Sequence, residues 1–305
     1  MSKRKYDKVE VKNLSGDGKK WCRGPMIGSS SSGLIFLATL KRRRSPDRII
    51  ADRLCRPVMA VKSTRMSNSF TLLEEKMVLD DLQECPYIRR IFGEETTVGM
   101  TGEEAYNILL EYPSGGTLED LIKRSGSEGL PENEVWHYTR CLLLGLHHMH
   151  SHGYVHRNLK PENIMLVRWG VGCMAKIGEY ESVIRVEMLK KRLWNPYTRM
   201  DIKYLSPEAF GSMQQGQASD IWAVGCIFYE MLTGKCIWDN MDKGYSEIKD
   251  DLCEMKNGSG IRMKLPNGMS KNAKKFLKAC FQIKAENRWS ADRLLNLSFL
   301  ASLQV

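Results

Sequence analysis

The chain has 305 residues, 42% hydrophobic and 27% charged, with 46 Lys and Arg against 36 Asp and Glu for a formal net charge of +10. That composition excludes a disordered polymer, a collagen-like repeat and a small disulfide scaffold, and the length suffices for one large domain or two modest ones. The excess charge is local: residues 1–65 hold 17 Lys and Arg against 5 Asp and Glu, and residues 66–305 hold 29 against 31. The 9 cysteines are odd in number, scattered, and form no C-x-x-C pair, which predicts a reduced, intracellular protein, cytoplasmic or nuclear. The longest apolar stretch, Ile221 to Leu232, contains Glu230 and is too short for a membrane span, and no apolar run follows the charged N-terminus, so neither a membrane segment nor a secretory signal is expected.

Residues 1–20 show no period of 2 or 3.6 and read as a basic flexible arm. From near Trp21 the chain becomes structured: a β-prone stretch, Ile27 to Leu40, brackets a Gly/Ser run, and Pro57 to Lys62 reads as a further short strand. Between them lies Lys41-Arg42-Arg43-Arg44-Ser45-Pro46, which reads better as a solvated hairpin loop than as a nuclear-localisation or nucleic-acid patch. Phe70 to Leu82 carries apolar residues at helical spacing with charges on the other face. Tyr106 to Tyr112 is a continuous apolar strand ending in the turn cluster Pro113-Ser114-Gly115-Gly116. Beyond it the pattern is mostly helical, at 117–124, 134–152, 217–233, 271–282 and 290–296. Strands first and helices after predict an α+β fold in two lobes, 21–112 and 113–301, within one domain of residues 21–305.

The run Gly28-Ser29-Ser30-Ser31-Ser32-Gly33 between strand-like segments is the setting of a phosphate-covering hairpin, although by itself it reads better as an ordinary turn. Specificity comes from residues farther along the chain, in this order: Ala60-Val61-Lys62, a helical Glu75, then His156-Arg157-Asn158-Leu159-Lys160-Pro161-Glu162-Asn163, then Ser206-Pro207-Glu208. With these elements the sequence resembles the eukaryotic protein kinases over about residues 21–301, and Lys160 matches the serine/threonine branch. Trp21-Cys22-Arg23-Gly24, Cys85-Pro86-Tyr87-Ile88, Glu111 to Leu118 and Gly145-Leu146-His147-His148-Met149-His150 narrow the resemblance to MAP kinase kinase kinases of the plant MEKK-like type.

The resemblance implies a bilobal kinase-like fold, β-rich then helical, with a nucleotide cleft between the lobes and ATP as ligand. It assigns Ile27, Gly28, Gly33, Ile35 and Ala60 to the nucleotide site, Lys62 to the α- and β-phosphates, Glu75 to holding Lys62, Leu110 to the gatekeeper position, and Glu111 and Tyr112 to the hinge. Asn163 matches a magnesium ligand, Asp220 the carboxylate that braces the catalytic loop, and Glu208 with Arg288 a buried ion pair. His156 and Arg157 are structural residues of the loop motif.

Several positions depart from the family pattern. Asn158 stands where the catalytic carboxylate belongs, and an amide is far too weakly basic to accept a hydroxyl proton; losing a positioned base lowers the rate by about 10²- to 10⁴-fold. Lys176-Ile177-Gly178-Glu179-Tyr180-Glu181 replaces the family's Lys-Ile-Gly-Asp-Phe-Gly, so the metal carboxylate becomes Glu179, one methylene longer, and Mg²⁺ binding becomes doubtful. Ser30 replaces the middle glycine of the loop, and Asp201 a threonine, which suggests an Asp201–Lys160 pair in place of the lost carboxylate.

The expectation is therefore a pseudokinase, or a strongly impaired serine/threonine kinase, that docks protein partners of a kinase cascade. Two alternatives stand beside it: an active kinase with atypical catalytic residues, and a nucleic-acid-associated protein anchored by the basic arm. The latter is the weakest, since no RNA- or DNA-binding signature accompanies the arm. The six histidines, all between His137 and His156, invite a metal reading, but no further ligand completes a zinc sphere. Ser182, Tyr197 and Thr198 are candidate phosphorylation sites.

Overall fold

The computed structural model describes residues 14, 16–41, 58–189, 201–212, 215–238 and 268–301. These separate into two compact units, one holding the described residues up to Glu84 together with Arg89–Tyr112, the other holding Cys85–Ile88 and the described residues from Pro113 onward.

The first unit is a five-stranded antiparallel sheet with one helix. Strands β1 (Trp21–Ser29), β2 (Leu34–Leu40), β3 (Val58–Arg65), β4 (Ile91–Val98) and β5 (Glu104–Glu111) lie in the order β1-β2-β3-β5-β4. β3 is central and almost wholly buried, so its residues read as a continuous run rather than an alternation. Its register places Lys62 between Ile35 of β2 and Ile108 of β5. β4 was not legible as a strand: Gly93 and the pair Glu94-Glu95 interrupt a half-exposed edge.

Helix α1 (Phe70–Leu82) has the predicted bounds but a different face. It buries Leu72, Glu75, Leu79 and Leu82 at 3- to 4-residue spacing, while Phe70 and Met77 remain 69% and 67% exposed, beside a partly exposed Leu73. The expected charged outer face is thus partly apolar.

The predicted N-terminal arm is also corrected where it is described. Leu14 is buried with Leu34, Phe36 and Ala105, and the Lys19 N–H bonds Glu95. Arg23 donates to Gly16 O, Ser63 Oγ and Asn107 Oδ1 and stacks over Trp21 and Phe36; burial, opposed by the charge of Asp17, lowers its pKa to about 10. Lys41 Nζ donates to Gly18 O. Residues 1–13 and 15 of the arm, and Arg42 to Pro46 of the basic loop, lie outside the described residues.

The second unit begins with a short strand β6 (Gly116–Thr117) and helix α2 (Leu118–Ser125), which starts on a capping box: Thr117 Oγ1 accepts from Asp120 N–H, and the Asp120 carboxylate accepts from Thr117 N–H. Then come α3 (Glu132–Ser151), β7 (Tyr154–Val155), the hairpin β8 (Ile164–Trp169) and β9 (Gly172–Ile177), and β10 (Ile184–Arg185). α4 (Pro207–Ser212), α5 (Gln217–Thr233), α6 (Lys271–Cys280), α7 (Ala291–Leu295) and α8 (Ser298–Ala301) complete the unit. β6, β8 and β9 form one small sheet, and β10 pairs with β7. Ile177 draws in the segment after α1: its N–H bonds Tyr87 O at 2.8 Å, and Ile88 bridges the same strand.

α3 and α5 make the core. Trp136 of α3 meets the rings of Phe228, Phe276 and Phe299 at centroid distances of 4.7, 5.6 and 4.4 Å. α5 and α6 approach closely at Gly225, where an added Cβ would lie 2.8 Å from Cys280 Cβ. Burial raises the thiol pKa of Cys226 and of Cys280, leaving both as small hydrophobes.

α6 is unusual in its outward charges. Lys271, Lys274, Lys275 and Lys278 lie on the face opposite Ala273, Phe276, Leu277 and Cys280, with no acidic residue in the first turn. Like charges three or four residues apart destabilise a helix by about 0.2–0.5 kcal/mol per pair, and lysines in the first turn oppose the helix dipole. Among the described residues, no ion pair offsets this repulsion.

The ion pair expected at Glu208 and Arg288 is present, with the arginine side chain buried and the glutamate partly exposed. Arg288 Nη1 and Nη2 contact Glu208 Oε1 and Oε2 at 2.7 and 3.0 Å, and the guanidinium also donates to Ala218 O and Gln282 O. Burial would raise the Glu208 carboxyl, but the hydrogen bonds and charge of Arg288 outweigh it and hold the group below its ordinary range. Lysine cannot reproduce this planar fork, so Arg288→Lys is expected to lose about 1–3 kcal/mol and Arg288→Ala about 3–5 kcal/mol in urea unfolding monitored by circular dichroism.

Candidate functional site

In the first unit, Lys62 Nζ lies 2.7 Å from Glu75 Oε2, and both side chains are fully buried. β3 presents the lysine and the inward face of α1 the glutamate. The same Oε2 accepts a hydrogen bond from Ser32 Oγ at 3.1 Å, while Glu75 Oε1 has no hydrogen-bond partner among the described residues. The serine-rich turn is closed by Ser30 N–H on Gly33 O at 2.9 Å, with Ser30 Oγ 3.2 Å from Ser32 Oγ. Gly33 is required by packing: a Cβ there would lie 2.5 Å from Ser63 O of β3. Gly28 faces Ile35 across the β1–β2 hairpin, and Ile27 is exposed.

Ala60 and Leu110 pair directly between β3 and β5, and both are fully buried. The backbone of Glu111 is less available than expected of a hinge: its N–H donates to Arg90 O at 2.9 Å, and its carbonyl accepts from Arg89 Nε at 3.2 Å. Pro113, one residue beyond the half-buried Tyr112, has no N–H to offer.

In the second unit the loop motif is organised by Asp220, in the first turn of α5 and 1% exposed. Its Oδ2 accepts from the His156 N–H at 2.9 Å and lies 2.9 Å from His150 Nε2, and its Oδ1 accepts from the Arg157 N–H at 2.8 Å. These bonds hold Arg157 at φ 66°, a left-handed conformation uncommon for a residue other than glycine. Arg157 Nε donates to Ser182 O at 2.6 Å.

His156 joins the loop to the altered metal motif. Its Nε2 contacts Gly178 O at 3.0 Å and its Nδ1 contacts the Asn158 N–H at 3.3 Å. An imidazole that donates at Nε2 while accepting at Nδ1 is neutral, and complete burial lowers its pKa in the same sense. Gly178 N–H in turn donates to Asn163 O at 2.9 Å. The next residue, Glu179, adopts φ 54°.

Asn158 is positioned by its backbone: its N–H meets His156, and its carbonyl accepts from Asn163 Nδ2 at 2.7 Å. Its side chain makes no hydrogen bond among the described residues, and lines a small cavity with Asp201, Tyr204, Gln215 and Asp220. With Nδ2 of Asn163 bonded to the Asn158 carbonyl, the Oδ1 of Asn163 could accept a metal ion, and the Glu179 carboxylate could supply a second oxygen. Magnesium carried on a polyphosphate needs only one or two protein oxygens, so this pair fits the ion in kind. No group of three or more His, Cys, Asp or Glu that could hold a metal ion occurs among the described residues, and His148 and His152 lie with rings 4.2 Å apart in no such cluster.

The protein kinase domain matches residues 25–300. The chain belongs to the protein kinase family. It is 37% identical to mitogen-activated protein kinase kinase kinase 20 of Arabidopsis thaliana over 92% of this chain and 78% of the relative. It is 31% identical to kinase kinase kinase 17 of the same plant, over 93% and 70%, and 32% identical to kinase kinase kinase 18, over 92% and 78%. The similarity places it on the serine/threonine, MEKK-type branch, with the α+β kinase fold of a β-sheet N-lobe and a helical C-lobe.

Against this kinase fold, two expectations are corrected. Asp201 does not pair with Lys160: the carboxylate accepts from the Lys203 N–H at the start of a short 3-10 helix, whereas Lys160 Nζ faces Glu162 at 3.8 Å. Ser182 is buried, unlike an accessible phosphorylation site, because its carbonyl is drawn onto Arg157. Tyr197 and Thr198 lie outside the described residues. Reading the sequence missed Ser32, whose contact with Glu75 has no motif, and Arg89, whose bond to the Glu111 carbonyl depends on the β4–β5 pairing.

Removing one partner of a buried ion pair strands the other. Lys62→Met is expected to lose about 3–5 kcal/mol, with most of it recovered in Lys62→Met/Glu75→Leu, read by chemical denaturation. His156 has its folded pKa below the unfolded value of about 6.5, so the unfolded chain binds the extra proton, and its stabilisation is present above that pH and lost as pH falls below it. Thermal melts at pH 7.5 and 5.5 are therefore expected to differ more in the wild type than in His156→Tyr.

Proposed function

We propose that this protein is a kinase-like signalling component with little or no phosphotransfer of its own, its lobes spanning 21–112 and 113–301, and that it engages proteins of a kinase cascade inside the cell. The observation that carries the reading is Asn158. The loop around it is braced by Asp220, His156 and Asn163 as a working loop would be, yet the side chain at its centre has no basic lone pair for a hydroxyl proton. The neighbouring departures act in the same direction. Glu179 reaches one methylene farther than aspartate, and the Glu111 N–H is already bonded within the sheet.

Kinase domains in general use ATP with magnesium, whose charge offsets that of the transferring phosphoryl group. Here Lys62, held by Glu75, would meet the α- and β-phosphates, and Asn163 and Glu179 would hold the ion. The intact Lys62–Glu75 pair favours retained nucleotide binding and supports a second reading, a slow kinase in which Asn158 orients the substrate hydroxyl without taking its proton. The free cysteines among the described residues suit a reducing compartment.

Transfer of labelled phosphate from ATP to casein separates the two readings. Wild type at the level of Lys62→Met is expected, with a gain of about 10²-fold or more in Asn158→Asp/Glu179→Asp/Glu181→Gly. Wild-type transfer clearly above Lys62→Met overturns the impaired reading.

A further inference from the structure

The lysine face of α6 borders a groove of about 460 Å³ lined by Lys271, Lys274, Lys275, Lys278, Gln282 and Trp289, with Ala279 at its base. Among the described residues, no Asp or Glu lines it and none of the four lysines makes an ion pair. The Ser270 cap at the head of α6 does contact an acid, Glu132, but that carboxylate is already engaged by Ser270 Oγ at 2.5 Å and by Trp136 Nε1 at 3.0 Å. Four cations thus line one shallow, open surface, on a helix whose stability they lower.

We propose that this groove docks an acidic peptide segment of a protein partner, its carboxylates matched to the lysines at positions 271, 274, 275 and 278. The tryptophan selects this occupant over other polyanions. Arg293 lies 4.0 Å over the ring of the half-buried Trp289, so that face is covered and is not offered for base stacking or for insertion into a bilayer. α6 spans ten residues, about 15 Å, the reach of four or five extended peptide residues. The inference deepens the signalling reading and rests on it only for the need of a protein partner. Peptide binding and phosphotransfer are read in separate assays, so failure of one is distinguishable from failure of the other.

The test is fluorescence anisotropy of a labelled peptide, five Glu-Ala repeats, titrated with the full chain at low salt. Saturable binding is expected, weakened at least tenfold in Lys274→Glu/Lys278→Glu and less than threefold in Lys123→Glu/Lys235→Glu, which carries the same net charge with its changes outside the groove. Lys271→Gln/Lys275→Gln provides a second variant: it relieves repulsion within α6 and is expected to bind more weakly while melting no lower than wild type. Parallel titrations use vesicles containing 30% phosphatidylserine and a 12-nucleotide single strand. Absence of peptide binding, equal loss in the groove and control variants, or tighter groove-dependent binding of the vesicle or the oligonucleotide overturns the proposal.

Discussion

The geometry of the second unit depends on one buried carboxylate. Asp220 has two oxygens, and each is met by a backbone N–H of the loop, with His150 sharing one of them. A buried charge of this kind persists only when fully hydrogen-bonded, so the donors around it are fixed as firmly as it is. It imposes the left-handed turn at Arg157, and the turn sets the direction in which Asn158 and Asn163 lie. From there the constraint passes through His156 to Gly178 and so to Glu179. The chain keeps this scaffold while substituting the groups it carries. The structural requirements of the loop and its chemical requirements are therefore separable: asparagine at 158 is incompatible with proton transfer but compatible with every bond that shapes the loop.

The first unit shows the same separation in another form. Lys62 and Glu75 meet as an intact pair in a fully buried setting, and the serine-rich turn contributes a hydroxyl to it through Ser32. In a site of low polarity a hydroxyl on a carboxylate is a substantial contact, and here it ties the β1–β2 turn to α1. The glycine that remains beside it, Gly33, is required by the closeness of β3.

Much of the architecture was legible in the sequence because the long elements carry strong periodicity. Phe70–Leu82 and Gln217–Thr233 have the bounds their patterns indicate. The short strands of the second unit were not legible, since two-residue strands such as Tyr154–Val155 carry no pattern, and the β8–β9 hairpin sits in a region otherwise helical. Site residues fell into two classes. Lys62, Glu75, Asn163, Asp220, Glu208 and Arg288 lie at positions that match the motifs through which the sequence resembles the protein kinases. Ser32, Arg89 and the true partner of Lys160 are set by side-chain reach across elements, which linear order does not encode. The outer face of α1 misled for a related reason: periodicity counts apolar residues, and Phe70 and Met77 are apolar at positions the fold leaves exposed.

The close approach of α5 and α6 at Gly225 has a mechanical consequence. With Cys280 seated against a residue that has no side chain, α6 cannot roll about its own axis without driving Cβ atoms into α5. Phe276 and Leu277, locked in the same core, fix the remaining rotational freedom. The opposite face is thereby a rigid template, with its ammonium stems rooted at set angular positions, and any rearrangement there is confined to the outer bonds of the lysine side chains.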